Sequence, residues 1–119
     1  MAEITLYDVN KFLDNFKVKA SIFGIKFRND RGKNIDTLFR LGISAKIRER
    51  IVLSLEDVDY CDGPILDTLN KGADMWVFGK DYSGCELYIK ISLGEEGEKT
   101  ICISFHEAER PLNYPFKPK

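Results

Sequence analysis

The sequence predicts an α+β domain in which N-terminal helices pack on a C-terminal antiparallel β-sheet. Three observations carry that prediction. Up to about residue 56 the apolar residues recur mostly three or four apart, the spacing of a half-buried helix. From Met75 the period becomes two, the spacing of a strand covered on one face, and turn residues divide this stretch into three runs. The chain is 119 residues long with 44% hydrophobic content, enough for one core without a metal or a disulfide. No repeat, low-complexity tract or linker interrupts it, so residues 1–119 are expected to form a single domain.

Thr5 followed by Asp8 resembles a capping box, and Leu6, Val9, Leu13 and Phe16 then share one helical face, which predicts a first helix over 6–16. Val18, Ala20, Ile22, Ile25 and Phe27 alternate around Gly24, and this predicts an extended segment with a bend or bulge at the glycine. After a polar loop at 29–33, Asn34 or Asp36 can cap a short helix through Leu41 that Gly42 ends. Ser44 starts a third helix, with Ile47, Ile51, Val52 and Leu55 on its apolar face. Residues 57–74 read as a loop punctuated by Gly63, Pro64 and Gly72 and tied down by Ile65, Leu66 and Leu69. Three strands follow at 75–80, 86–93 and 100–106 as a meander, and the proline-bearing tail 107–119 is expected to lie extended on the surface.

Pairing Ile91 with Ile101 and Phe78 with Leu87 would align the apolar residues of the three strands toward the helices. The same register sends Glu86, Tyr88, Lys90, Cys102, Ser104 and His106 to the other face, with Tyr88 opposite Ser104 and Glu86 opposite His106. His106 is the one histidine of the chain, Glu109 follows just beyond the strand, and Lys80 can join from the neighbouring strand. Such groups suit acid/base chemistry on a phosphodiester: one removes a 2'-hydroxyl proton, cations stabilise the phosphate and an acid protonates the leaving oxygen. The plain alternative is a solvated sheet face, on which alternating polar residues are the rule. Cys102 paired with His106 as a nucleophile, and Glu86 with Glu109 as a glycosidase pair, are weaker readings because no third orienting group and no sugar cleft are evident.

Composition narrows the classes. No apolar run approaches a membrane span and no signal peptide is expected at Met1 to Phe16. Three cysteines without a C-x-x-C pair suggest neither a disulfide framework nor zinc, and one histidine with scattered carboxylates offers no metal-ligand spacing, so no cofactor, no metal and a cytoplasmic location are expected. The net charge of −1 hides a block at 17–50 with ten basic and three acidic residues. Lys46, Arg48, Arg50, Arg28 and Arg31 within it are candidates to track an RNA backbone or to dock an acidic protein.

The runs Asp59-Tyr60-Cys61-Asp62-Gly63-Pro64, Trp76-Val77-Phe78-Gly79-Lys80, Leu87-Tyr88-Ile89-Lys90-Ile91, Ser104-Phe105-His106-Glu107-Ala108-Glu109 and Tyr114-Pro115-Phe116-Lys117 resemble a group of small bacterial proteins. That group is similar in turn to the motility quorum-sensing regulator (MqsR-type) toxins of toxin-antitoxin systems, and the resemblance runs from about Leu38 to Lys117. It implies a RelE-like fold, metal-independent cleavage of messenger RNA and silencing by a cognate antitoxin protein. Tyr88 and Lys90 match the family's Tyr-x-Lys strand, and Ser104-Phe105 its Ser-Phe strand end. Three positions depart from the pattern: Cys61 and His106 replace lysines and Val77 replaces a glutamine.

The expectation is therefore an endoribonuclease toxin acting on single-stranded RNA. His106 would be general acid or base, Tyr88 a proton donor or stacking platform, Lys80 and Lys90 a phosphate clamp, with Tyr60 further out and Glu109 tuning the histidine. The alternative is an interaction or nucleic-acid-binding domain without nuclease activity.

Overall fold

A computed structural model describes residues 3–68 and 72–118; Leu69 lies outside them. The chain runs α1 (Leu6–Phe23), β1 (Ile25–Phe27), α2 (Gly32–Leu41), α3 (Ala45–Leu53), a 3-10 turn (Asp57–Asp59), β2 (Tyr60–Ile65), β3 (Met75–Tyr82), β4 (Cys85–Ser92) and β5 (Thr100–Glu107). The strands form one sheet in the order β1-β5-β4-β3-β2, antiparallel except where β1 runs parallel to β5. The architecture is the expected α+β one, helices first and strands after.

The capping box forms: the Thr5 hydroxyl accepts from the Asp8 amide and the Asp8 carboxylate accepts from the Thr5 amide at 2.9 Å. The helix it starts runs past residue 16 to Phe23, so most of the expected extended segment is helical and only Ile25–Phe27 is strand. Val18 and Ile22, four residues apart, share an exposed helix face, which the alternating reading took for a strand period. The last turns are pinned from outside the helix. Lys17 donates to the Leu55 carbonyl at 2.7 Å, and Lys19 to the carbonyls of Leu93 and Glu95.

α2 begins at Gly32, two residues before the expected cap, because the Asn34 carboxamide is used elsewhere. Beyond residue 102 the outer edge of β5 is not paired by β1, and α2 lies along it instead. Asn34 Oδ1 accepts from the Phe105 amide at 3.0 Å while Nδ2 donates to the carbonyls of Ile103 (3.1 Å) and Arg28 (3.0 Å), and the Thr37 hydroxyl accepts from the Glu107 amide at 3.1 Å. A buried asparagine thus copies a peptide group and satisfies an edge that would otherwise bury unpaired amides. Gly42 takes the left-handed conformation (φ 64°) that ends α2, and Ser44 caps α3 as the sequence predicts.

β2 lies inside the expected loop. Its pairing with β3 breaks twice, between Tyr60 and Asp62 and between Asp62 and Ile65, so neither alternation nor the Gly63-Pro64 pair reads as a strand. In the meander, Phe78 pairs with Ile89 and Tyr88 with His106, a register two residues away from the expected one. A shift of two preserves faces, so Leu87, Ile89, Ile91 and Phe105 still point to the helices and are buried there with Val9, Phe12, Phe16 and Phe78. A bulge then changes β5: Lys90 pairs with Ser104 but Ile91 with Cys102, leaving Ile103 as the extra residue. Cys102 consequently turns into the core, and Ile101 and Ile103 face a cavity on the open side.

The tail crosses the open sheet face at its Glu86 end. Glu86 accepts from the Leu112 amide (3.0 Å) and the Tyr114 hydroxyl (2.7 Å), and its carbonyl accepts from the Ala108 amide (2.8 Å). Gly79 makes the approach possible, since a Cβ there would collide with Tyr114 and Leu112. Phe116 ends against the Tyr60 ring, centroids 5.5 Å apart.

Candidate functional site

Beside the tail, the open sheet face sinks into a cavity of about 830 Å³. Its floor is Val77, Tyr88, Lys90, Ser104 and His106; the first turn of α2 and the residues just before it form one wall, and the tail from Glu109 to Asn113 forms another. The floor follows from β pairing: Val77, Lys90 and Ser104 lie in one row across β3, β4 and β5, and Gly79, Tyr88 and His106 in the next. Asn34, by tying α2 to Ile103 and Phe105, fixes the helix start against that floor.

The Tyr88 and His106 rings stack, with centroids 5.2 Å apart and planes within 15°. His106 Nδ1 lies 2.9 Å from the Glu107 carbonyl. A carbonyl can only accept, so Nδ1 carries a proton and Nε2 is the basic nitrogen of the neutral ring. Burial is the main cause that pushes the Tyr88 phenol above its ordinary pKa; Asp62 and Cys61 add to it and Arg31 opposes it. The phenol therefore stays protonated at neutral pH. Burial and then the Arg31 charge hold the Lys90 ammonium below the usual lysine value, with Asp67 opposing. Cys61, also on the cavity wall, is pushed up to about 12 by burial and remains a thiol.

The cavity brings together His106, Tyr88, Lys90, Glu109 and Arg31 of the expected site residues. Lys80 and Tyr60 are elsewhere. Lys80 pairs with the core-facing Leu87, so it points to the helix side, where its ammonium bonds Asp59 at 3.1 Å. Tyr60 is 6% exposed in the core cluster and donates to the Gly63 carbonyl at 2.6 Å. Glu109 is bonded to Lys33 rather than to His106, and the Glu107 carbonyl and the Tyr88 ring hold the imidazole instead. Cys102 cannot pair with His106 as a nucleophile, because the bulge places it on the opposite side of the sheet with its thiol pushed up to about 12 by burial.

The basic block disperses in three dimensions. Arg48 is 6% exposed, lies over the Phe27 ring at 3.9 Å and donates to Asn29 Oδ1 at 2.8 Å, so it presents no charge to a ligand. Arg28 is spent on a two-bond pair with Asp30. Lys46 and Arg50 stay exposed on α3, beside Glu49 and away from the cavity. Of the five candidates for RNA contact only Arg31 reaches the cavity, joined by Lys33 of the same block and by Arg110 of the tail, neither of them named as a site residue from the sequence. Lys33 carries only the general signal of the block and Arg110 none; the fold brings them in from a helix start and the tail. The three positions where the chain departs from the toxin pattern, Cys61, Val77 and His106, all line this one cavity.

Among the described residues, no group of three or more His, Cys, Asp or Glu is placed to hold a metal ion, and no helix is long and apolar enough to cross a membrane. No family model, curated protein or solved structure matches the chain.

Proposed function

We propose that the cavity is the active site of a metal-independent endoribonuclease, the toxin of a toxin-antitoxin pair working in the cytoplasm, as the likeness to the MqsR-type toxins implies. One observation carries the reading: a histidine of fixed tautomer stacked on a protonated phenol, beside a lysine and an arginine. These groups suffice for transesterification of RNA. His106 Nε2 takes the 2'-hydroxyl proton as O2' bonds to phosphorus. The bond from phosphorus to O5' breaks, and the Tyr88 hydroxyl gives its proton to the leaving oxygen. Lys90 and Arg31 stabilise the charge that grows on the phosphate. One proton is gained by the imidazole and one lost by the phenol, so exchange with solvent resets the pair.

With one face of the Tyr88 ring taken by His106, the tyrosine serves better as proton donor than as a platform for a base. The cognate antitoxin would act by covering the cavity mouth. The test is cleavage of single-stranded RNA by the purified chain in chelator. Cutting to a 2',3'-cyclic phosphate is expected, falling about 100-fold or more in His106→Ala and in Tyr88→Phe. Absence of cutting by the folded wild type, or full activity in His106→Ala, would refute the assignment.

A further inference from the structure

The cavity holds hydrogen-bond donors that the protein itself does not use. α2 is ten residues long and starts at the cavity wall without a side-chain cap. The amides of Gly32 and Lys33, its first two, have no partner among the described residues, whereas those of Asn34 and Ile35 bond to the Arg31 carbonyl. A second observation is independent of the helix. Ser104 is 3% exposed and lines the same cavity, and its hydroxyl makes no hydrogen bond among the described residues. The hydroxyl is the open end of an otherwise buried side chain, a donor left free toward the cavity for an acceptor arriving from outside.

Lys90 pairs across the strands with Ser104, and neither its ammonium nor the Arg31 guanidinium is in an ion pair among the described residues. Of the two carboxylates of the cavity, Glu109 is paired with Lys33, while Asp62 accepts from the Gly63 amide and has no cation partner among the described residues. Two amides at a helix start, a free hydroxyl and two cations, set against one carboxylate without a cation partner, describe a receptor for an oxyanion.

We propose that the Gly32 and Lys33 amides, the Ser104 hydroxyl, Lys90 and Arg31 form a subsite for the internucleotide phosphate of a single-stranded nucleic acid, next to His106. The choice of that phosphate rests on the nuclease reading above; the donor set itself does not. Ser104 and the helix start would hold the non-bridging oxygens, leaving the attacking 2'-hydroxyl to His106 and the bridging O5' to Tyr88.

The experiment is amide NMR of the full chain titrated with a DNA dinucleotide monophosphate, which lacks the 2'-hydroxyl and cannot be cut. Inorganic phosphate and the free nucleosides form the other arms. The dinucleotide should move the Gly32 and Lys33 resonances saturably and the nucleosides should not. Arg31→Gln and Ser104→Ala, checked for retained spectral dispersion, should each weaken binding about tenfold. Unmoved Gly32 and Lys33 amides in the wild type, undiminished affinity in both variants, or binding of inorganic phosphate without the dinucleotide would overturn the proposal. Saturable shifts in a protein that fails to cut RNA would uphold the subsite and reject the nuclease; cutting with those amides unmoved would do the reverse.

Discussion

Replacing Asn34 by alanine should destabilise the fold and loosen the cavity together. Asn34 is 3% exposed and its carboxamide makes three hydrogen bonds, to the Phe105 amide and to the carbonyls of Ile103 and Arg28. Each is worth about 1 kcal/mol net, and a buried group left unpaired costs about 1–3 kcal/mol. Losing all three therefore costs about 3 kcal/mol, with water entering the gap as the main relief. Against a typical total of about 5–15 kcal/mol, that is a large fraction. Asn34→Asp should be comparably damaging. It keeps the acceptor for the Phe105 amide but turns a second oxygen toward two carbonyls. Urea unfolding should show a lower midpoint at unchanged slope, and hydrogen exchange should show the Phe105 amide losing protection. A loss below about 1 kcal/mol with Phe105 still protected would refute the claim that this side chain substitutes for an edge strand.

Gly79→Ala should drive the tail off the sheet, because the added Cβ meets Tyr114 and Leu112. A cost of about 1–3 kcal/mol is expected, read as lost exchange protection at the Leu112 amide with the core amides unchanged. Lys90→Met should remove a contribution to stability that grows toward alkaline pH. Burial lowers the Lys90 pKa from 10.5, so between the lowered value and 10.5 Lys90 binds more protons in the unfolded chain and its own contribution to stability rises with pH in that window. Below it the folded state bears the unfavourable buried charge. The thiols of Cys61 and Cys102 and the phenols of Tyr60, Tyr88 and Tyr114, whose pKa values folding raises, pull both chains down at alkaline pH. Urea midpoints from pH 7 to 11 should therefore show the wild type gaining on the variant as pH rises, and an unchanged difference would refute the assignment.

Local chemistry was the legible part of this fold. Capping signals at Thr5, Gly42 and Ser44 and the aliphatic alternation from Leu87 to Ile91 are written within a few neighbouring residues, and each forms as read. What depends on distant partners was not legible. α1 reaches Phe23 because carbonyls of Leu55, Leu93 and Glu95 receive its lysines, and β2 exists because β3 tolerates two breaks in its pairing. The site divides the same way. Tyr88, Lys90, Ser104 and His106 follow from strand parity, which survives a register error of two. Lys80 misleads because residues opposite Tyr88 and opposite Leu87 belong to different faces, and Arg48 because a helical charge gives no hint that Phe27 will cover it.

The extra residue in β5 has a consequence for how that strand can vary. Along most strands every second position tolerates polar exchange, and the rule keeps one phase from end to end. Here the phase slips by one at Ile103. Before the slip the core-facing member is Cys102, an even position, and after it Phe105, an odd one. A saturation scan would record two tolerance patterns out of step within eight residues, as though two short strands had been spliced. The first half is then free to vary with β1 and the helical core, and the second with the cavity. The surface that carries Ser104 and His106 can be rewritten without passing the change on to the core beneath the other end.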